Sequence, residues 1–221
     1  MKTFNYRDII QHLVYKVVDP LLRLLLRLHV TPNVVTVAGL AGNAVAAWLF
    51  VLAAQCTGSD AERAFSLTAW GGAVILLAGL MDMMDGRLAR LGSLSSRFGA
   101  LLDSSLDRYS ELLTLSGIAF LLLRSGDEWL WAAAATFAAL IGSMMVSYVR
   151  ARAEGLGMEC KVGLMQRPER VVVTAVAAIA SGLVADMLWL AAGMAVIAVL
   201  ANLTALWRIV HCMKEAGNSR S

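Results

Sequence analysis

The sequence is short of charge, cysteine and proline. Only 16% of its 221 residues are Asp, Glu, Lys or Arg, while 59% are hydrophobic. A soluble domain of this size carries about 25% charged residues. The three cysteines, Cys56, Cys160 and Cys212, lie far apart, with no C-x-x-C pattern and no histidine at ligand spacing. That excludes a disulfide framework and a zinc site. The net charge is only +3, and the basic residues form no stripe of the kind that tracks a nucleic acid. Met1–Asp19 mixes acids and bases before any apolar run and lacks a small-residue cleavage site, so it does not read as a secretory signal. What is plentiful is uninterrupted apolar sequence: Val34–Ala54, Trp129–Val149 and Met187–Trp207 each approach the roughly 20 residues that cross a bilayer. A soluble enzyme, a secreted scaffold and a disordered regulator are all excluded.

The pattern predicts an all-α integral membrane protein with six transmembrane helices, near 34–54, 68–87, 98–123, 129–149, 169–185 and 187–207. The fifth apolar run is short, and Pro168 with Glu169 suits an earlier helix start. Most bases sit before span one, between two and three, between four and five, or after six; the other side has only Arg63 and Arg124. The positive-inside rule therefore places both termini in the cytoplasm, and the chain in the cytoplasmic membrane. In Asp8–Leu28, apolar residues recur every three or four positions, which predicts an amphipathic N-terminal helix lying at the interface. The expected division is a juxtamembrane segment over 1–30, a six-helix catalytic domain over 31–212 and a short polar tail over 213–221.

The scarce acids are not scattered. Asp82, Asp85, Asp103 and Asp107 fall at the cytoplasmic ends of spans two and three. An ionised carboxylate at membrane depth is costly unless paired, so a group of four demands cations. Asp82 and Asp85 are three apart, Asp103 and Asp107 four apart, so each pair occupies one helix face. Gly86 lies four after Asp82 and Gly99 four before Asp103, which leaves each stripe a position where a ligand can approach the backbone. Singly, such acids read as helix-end partners of Arg87, Arg90, Arg97 or Arg108. Together they read as an all-oxygen site for Mg²⁺, with Mn²⁺ or Ca²⁺ as alternatives, holding one or two ions. Bound cations would attract a phosphate or diphosphate, and Arg90 offers it a further fork.

The run Asp82-Met-Met-Asp85-Gly86-Arg-Leu-Ala89-Arg90, eight residues, then Gly99-Ala-Leu-Leu-Asp103-Ser-Ser-Leu-Asp107, resembles the signature D-x-x-D-G-x-x-A-R…G-x-x-x-D-x-x-x-D of the CDP-alcohol phosphotransferases. The likeness extends to the six-span layout and the Thr31-Pro32-Asn33 lead-in to span one. It implies attack of an alcohol hydroxyl on the β-phosphate of a CDP-linked lipid, with CMP released. It further implies that Asp82, Asp85 and Asp103 hold two metal ions and the diphosphate, and that Asp107 adds to the metal site and serves as general base. Asp82, Asp85, Gly86, Ala89, Arg90 and Gly99 would form the donor pocket, and a homodimer is implied as well.

A second polar block bridges spans four and five. Its pieces Ala151–Gly155 (A-R-A-E-G) and Arg167–Arg170 (R-P-E-R) are similar to the prokaryotic phosphatidylinositol-phosphate synthases. That resemblance implies CDP-diacylglycerol as donor and inositol 1-phosphate as acceptor. The acceptor phosphate would be bound by Arg150, Arg152, Arg167, Arg170 and, from the last span, Arg208. Glycerol 3-phosphate is an anion too, so a phosphatidylglycerophosphate synthase is the alternative within the family. Of other classes, a cation-coupled transporter is disfavoured because no inverted repeat or second broken helix accompanies the acids. An aspartate-rich prenyltransferase is disfavoured by the D-G-x-x-A-R element.

Overall fold

The computed structural model describes residues 19–218, and all the regular structure there is helical. Helix α1, described over 19–27, stops before His29, whose φ of 57° lies in the left-handed region that ends helices. Pro32 then occupies the first turn of α2 (Pro32–Cys56), where its missing N–H costs nothing. Asp60 caps α3 (Ala61–Leu91) by accepting from the Arg63 N–H, and Ser96 caps α4 (Arg97–Arg124) by accepting from the Gly99 N–H. A 3₁₀ turn over Asp127–Trp129 leads into α5 (Leu130–Gly155). Next come α6 (Arg167–Val184), with Pro168 in its first turn as the sequence predicts, and α7 (Leu188–Asn218). The polar tail expected from 213 is, as far as Asn218, a continuation of α7.

Four helices are long and apolar enough to cross a membrane: α2, α3, α5 with its leading turn, and α7. The two that fall short carry charge within the stretch that would cross, whereas the six charged residues of α3 sit toward its ends. Along α4 lie Arg97, Asp103, Asp107, Arg108, Glu111 and Arg124. The 18 residues of α6 open with Arg167, Glu169 and Arg170. Of the predicted N-terminal amphipathic helix, residues 8–18 lie outside the described residues. From Asp19 onward, Leu22 is fully buried against Val35, Met84 and Leu88, and Asp19 pairs with Arg87 at 3.2 Å.

The six long helices close a ring. Its main contacts run α2 to α3, α3 to α6, α6 to α7, α7 to α5, α5 to α4 and α4 back to α2. Its interior is filled by Phe50, Ile75, Leu115, Ile118, Leu190, Met194 and Ile197, with alanines between them. Small residues allow the backbones to approach, as expected where lipid removes the hydrophobic drive and leaves dispersion to hold helices together. A Cβ on Gly117 would lie 2.8 Å from the Ala47 carbonyl oxygen, and one on Gly72 2.7 Å from that of Ala175. Two buried hydroxyls are satisfied within their own helices: Thr68 donates to the Ala64 carbonyl and Thr136 to that of Ala132, each at 2.8 Å.

The connection from α5 to α6 folds back onto α7. Gly163 (φ 125°) approaches so closely that a Cβ there would stand 2.3 Å from Thr204 Cγ2. The Met165 N–H donates to Thr204 Oγ1 at 3.2 Å, and Arg208 Nε donates to the Val162 carbonyl at 2.8 Å. These contacts fix where α6 begins, and its first turn carries two of the predicted site arginines.

The glycine contacts carry a stability prediction. Gly117→Val should destabilise the detergent-solubilised protein by about 1–3 kcal/mol and lower its Tm. Gly58→Ala, whose Cβ meets nothing within 4 Å, should leave Tm unchanged. Equal melting of both variants would mean that α4 does not depend on its close approach to α2.

Candidate active site

The two acidic pairs meet although α3 and α4 are separated in the ring by α2. One carboxylate oxygen from each of Asp82, Asp85 and Asp103 lies within 4.8 Å of the others, a spacing that could hold a metal ion. Asp85 is only 4% exposed, the Thr36 hydroxyl of α2 lies beside it, and its Oδ2 has no hydrogen-bond partner. A buried carboxylate oxygen left without a donor is expensive in a folded chain. Three converging carboxylates, one of them orphaned, therefore fit a hard divalent cation bound through oxygen.

Asp107 is not part of that trio but lies beside it, within hydrogen-bond reach of Asp82. Its Oδ1 receives Arg167 Nη2 at 2.8 Å, while Arg167 Nη1 binds Asp82 Oδ2, so one guanidinium from α6 joins carboxylates of α3 and α4. Arg108 Nη1 approaches Asp107 Oδ2 at 3.5 Å. The four sequence-predicted aspartates thus form one acidic centre in two parts: three able to share a metal, and a fourth tied to Asp82 through Arg167.

A cleft of about 220 Å³ opens beside the trio, lined among others by Thr36, Asp85, Gly86, Ala89, Arg90, Gly99 and Asp103. Every predicted donor-pocket residue except Asp82 faces this one space. The two glycines serve it differently. A Cβ on Gly86 would meet nothing within 4 Å, so the space beside it belongs to the cleft. A Cβ on Gly99 would lie 3.0 Å from Ser96 Oγ and 3.2 Å from Asn33 Oδ1, so its smallness lets α4 start hard against the lead-in to α2. Asn33, from the Thr31-Pro32-Asn33 lead-in, also lines the cleft, as do Ser95 and Ser96, which the sequence pattern does not single out. The signal for Ser96 was its N-cap position three residues before Gly99.

The predicted acceptor arginines divide. Arg170 and Arg208 are each 2% exposed and bonded to the protein itself. Arg170 donates through Nε (2.6 Å) and Nη2 (3.0 Å) to the Glu111 carboxylate, and through Nη1 to the Met165 carbonyl at 3.1 Å. Arg208 donates to the carbonyls of Val162 (2.8 Å) and Val146 (2.6 Å). Arg150 is part-exposed and paired with Glu154 at 2.9 Å, and Arg152 is exposed. Glu111 is the residue that sequence reasoning passed over. It lies four beyond Asp107, and so extends the stripe of Gly99, Asp103 and Asp107 by one turn.

Fold and site together define a membrane-type helical protein with an aspartate centre suited to a divalent metal, open to a cleft and backed by arginines. The chain belongs to the CDP-alcohol phosphatidyltransferase family, whose model matches residues 29–207. Among its relatives is a phosphatidylinositol phosphate synthase of Cutibacterium acnes, 38% identical over 176 residues, which cover 76% of this chain and 75% of that one. The synthase of the same name from Mycobacteroides abscessus is 35% identical over 176 residues, covering 76% and 70%. An archaetidylinositol phosphate synthase of Pyrococcus horikoshii is 32% identical over 204 residues, covering 90% and 94%. Among solved structures, the Mycobacterium tuberculosis phosphatidylinositol phosphate synthase with CDP-DAG bound superposes with a TM-score of 0.75 at 29% identity, covering 89% of this chain and 94% of that one. The same synthase in complex with manganese and citrate gives a TM-score of 0.75 at 30% identity, covering 88% of each.

The Glu111–Arg170 pair yields a test of the wall behind the site. Glu111→Ala strands a buried guanidinium and should cost about 3 kcal/mol of stability. Adding Arg170→Met should restore much of that loss. Denaturation of the three proteins in detergent measures both steps, and a double variant no more stable than the single one would shift the weight to the Met165 carbonyl.

Proposed function

We propose that this protein transfers the phosphatidyl group of CDP-diacylglycerol to inositol 1-phosphate with release of CMP, as a phosphatidylinositol-phosphate synthase. The observation that carries the reading is the trio Asp82, Asp85 and Asp103, of which Asp85 and Asp103 line the cleft, with Arg167 joining Asp82 to Asp107. The names of the relatives support both donor and acceptor. Mg²⁺ is the proposed physiological metal, with Mn²⁺ as substitute, in two ions held by Asp82, Asp85, Asp103 and Asp107. When bound, the metal neutralises the diphosphate and stabilises the departing CMP.

The chain's own residues supply the rest. The open face of Gly86, with Ala89 and Gly99, leaves room for the cytidine and diphosphate, and Arg90 offers N–H donors to phosphate oxygens. Asp107, at the inner end of the acidic centre, takes the proton of the attacking hydroxyl. The new bond forms between that hydroxyl oxygen and the β-phosphorus as the bond from phosphorus to CMP breaks. Arg150, Arg152 and Arg167 present charge to the acceptor phosphate, and Arg170 and Arg208 supply positive potential from the wall. Glycerol 3-phosphate is the alternative acceptor, since the same arginines suit any phosphomonoester.

The proposed setting is the cytoplasmic membrane. All six long helices span it, with α4 and α6 joining the four more apolar ones because the ring buries their charged faces inward. Residues 31–212 form the catalytic domain, and α7 runs on past it to Asn218. Both termini and the active site face the cytoplasm, which the arginine bias supports, and the protein works as a homodimer.

An acceptor panel tests the reading. With CDP-diacylglycerol and Mg²⁺, inositol 1-phosphate should release CMP far faster than glycerol 3-phosphate, inositol or serine. Preference for glycerol 3-phosphate would reassign the acceptor, and metal-independent or absent CMP release would reject the reaction. In a separate binding and turnover comparison, Asp107→Asn should abolish turnover while CDP-lipid binding persists; near-normal turnover removes Asp107 from the base role.

A further inference from the structure

We infer that Arg167 is the acidic centre's own counter-cation, which a divalent metal displaces, and that the released guanidinium then turns to the acceptor phosphate. The second half rests on the function proposed above; the first rests on the aspartate centre alone.

Three buried or largely buried arginines surround the site, and their partners differ in kind. Arg170 is fixed by Glu111 and the Met165 carbonyl, Arg208 by the carbonyls of Val146 and Val162. Those partners are scaffold. Arg167 is bonded only to Asp82 and Asp107, both members of the acidic centre, and its buried Nε has no acceptor. Its place is therefore held by the charge of the site and by nothing else.

Asp82 is the point of conflict, because it belongs both to the carboxylate trio and to the Arg167 bridge. A divalent ion bound by the trio would share that carboxylate with a guanidinium, and like charges at such range repel strongly inside a poorly solvated centre. The contact with Arg167 must then yield. The side chain can leave without unfolding anything, since it stands on the first residue of α6 and Arg170 anchors that helix three residues later. Asp107 loses the nearer of its two cations at the same time and keeps only Arg108, on Oδ2, which frees its Oδ1 for the hydroxyl proton. One movement thus readies the base and exposes a phosphate-binding fork, so metal loading precedes productive acceptor binding.

The test is Mn²⁺ titration of the full-length protein in detergent, with free Mn²⁺ followed by its EPR signal. A residue that merely braces the fold would leave Mn²⁺ affinity unchanged or weaken it when removed; a displaced competitor gives a gain. Arg167→Gln should bind Mn²⁺ roughly tenfold more tightly than the parent protein, a coupling of ordinary size. Arg167→Lys keeps the charge but loses the two-pronged bridge, and should show a smaller gain; it also serves if the glutamine variant does not fold. Arg108→Gln removes a charge beside Asp107 without vacating the bridge, and should change affinity little. Equal or weaker Mn²⁺ binding by both Arg167 variants overturns displacement, as does an equal gain from Arg108→Gln, which would mark a general field effect. Inositol 1-phosphate, corrected for its own Mn²⁺ binding, should tighten Mn²⁺ binding in the parent and not in Arg167→Gln; no tightening in the parent overturns the turn to the acceptor. If the parent and the variants all fail to bind Mn²⁺, the metal reading under the proposed function falls too, whereas equal binding by all leaves it standing.

Discussion

Carboxylates within apolar helices must be neutralised by something, and most of the architecture at this end of the molecule follows from how that is done. Asp82, Asp85, Asp103 and Asp107 sit on two helices that α2 holds apart, and Arg108 of α4 reaches only Asp107, so most of the compensating charge must come from elsewhere. It comes from a third, α6, whose first turn reaches both α3 and α4 through Arg167. One turn deeper, Arg170 repeats the connection to α4 through Glu111. Two cross-ring ionic contacts, one turn apart, tie α6 to α4 although the two are not neighbours in the ring. The shallow contact touches the site, whereas the deep one is sealed at 2% exposure. That difference in burial separates a group able to change partners from one that cannot.

The start of α6 is consequently a position the molecule must hold firmly, and the chain before it is built for that. Gly163 accepts a backbone conformation and a closeness to Thr204 that a side chain would forbid. Met165 then ties its N–H to Thr204 and its carbonyl to Arg170. Arg208 spans from α7 to the Val162 and Val146 carbonyls, and so locks the loop to the ends of α5 and α7. Arginines that the sequence suggests as phosphate ligands are, in Arg170 and Arg208, also the fasteners of this loop. A guanidinium with all its bonds made still contributes a full positive charge, so fixing the loop and attracting an anion are compatible duties.

What could be read from sequence followed from local periodicity. The aspartate and glycine stripes were legible because helical spacing alone puts positions three and four apart on one face, and Pro168 marked the start of α6 for an equally local reason. What could not be read depends on contacts between distant segments. Glu111 and Arg170 are 59 positions apart, and Arg167 and Asp82 are 85 apart. No periodicity shows which acid meets which base across a ring. The membrane layout shows the same limit in another form. Four helices declare themselves by hydropathy, while α4 and α6 are diluted by the residues that make the site. Weak hydropathy in those two reflects charge carried within the span, whereas α3 keeps a long apolar stretch ahead of Asp82 and Asp85.

The ring order adds one step that the residues alone do not. The ionic contacts and the cleft gather at one end of the ring, where α2, α4 and α6 begin and α3, α5 and α7 finish. Helix starts carry partial positive charge, and those of α4 and α6 adjoin the cleft and the Arg167 bridge. At the opposite end the charged residues of the connections form no ion pair among the described residues, and Thr57, just past α2, donates to the Arg124 carbonyl of α4 at 3.1 Å. An anionic headgroup arriving from the membrane and a phosphorylated alcohol arriving from water would both be drawn to the same end. Under the proposed function, the carboxylates that line the cleft and the arginines at the start of α6 would give two negatively charged reactants separate cations, and Asp107, which shares α4 with Asp103 and is bonded to Arg167, would stand between them.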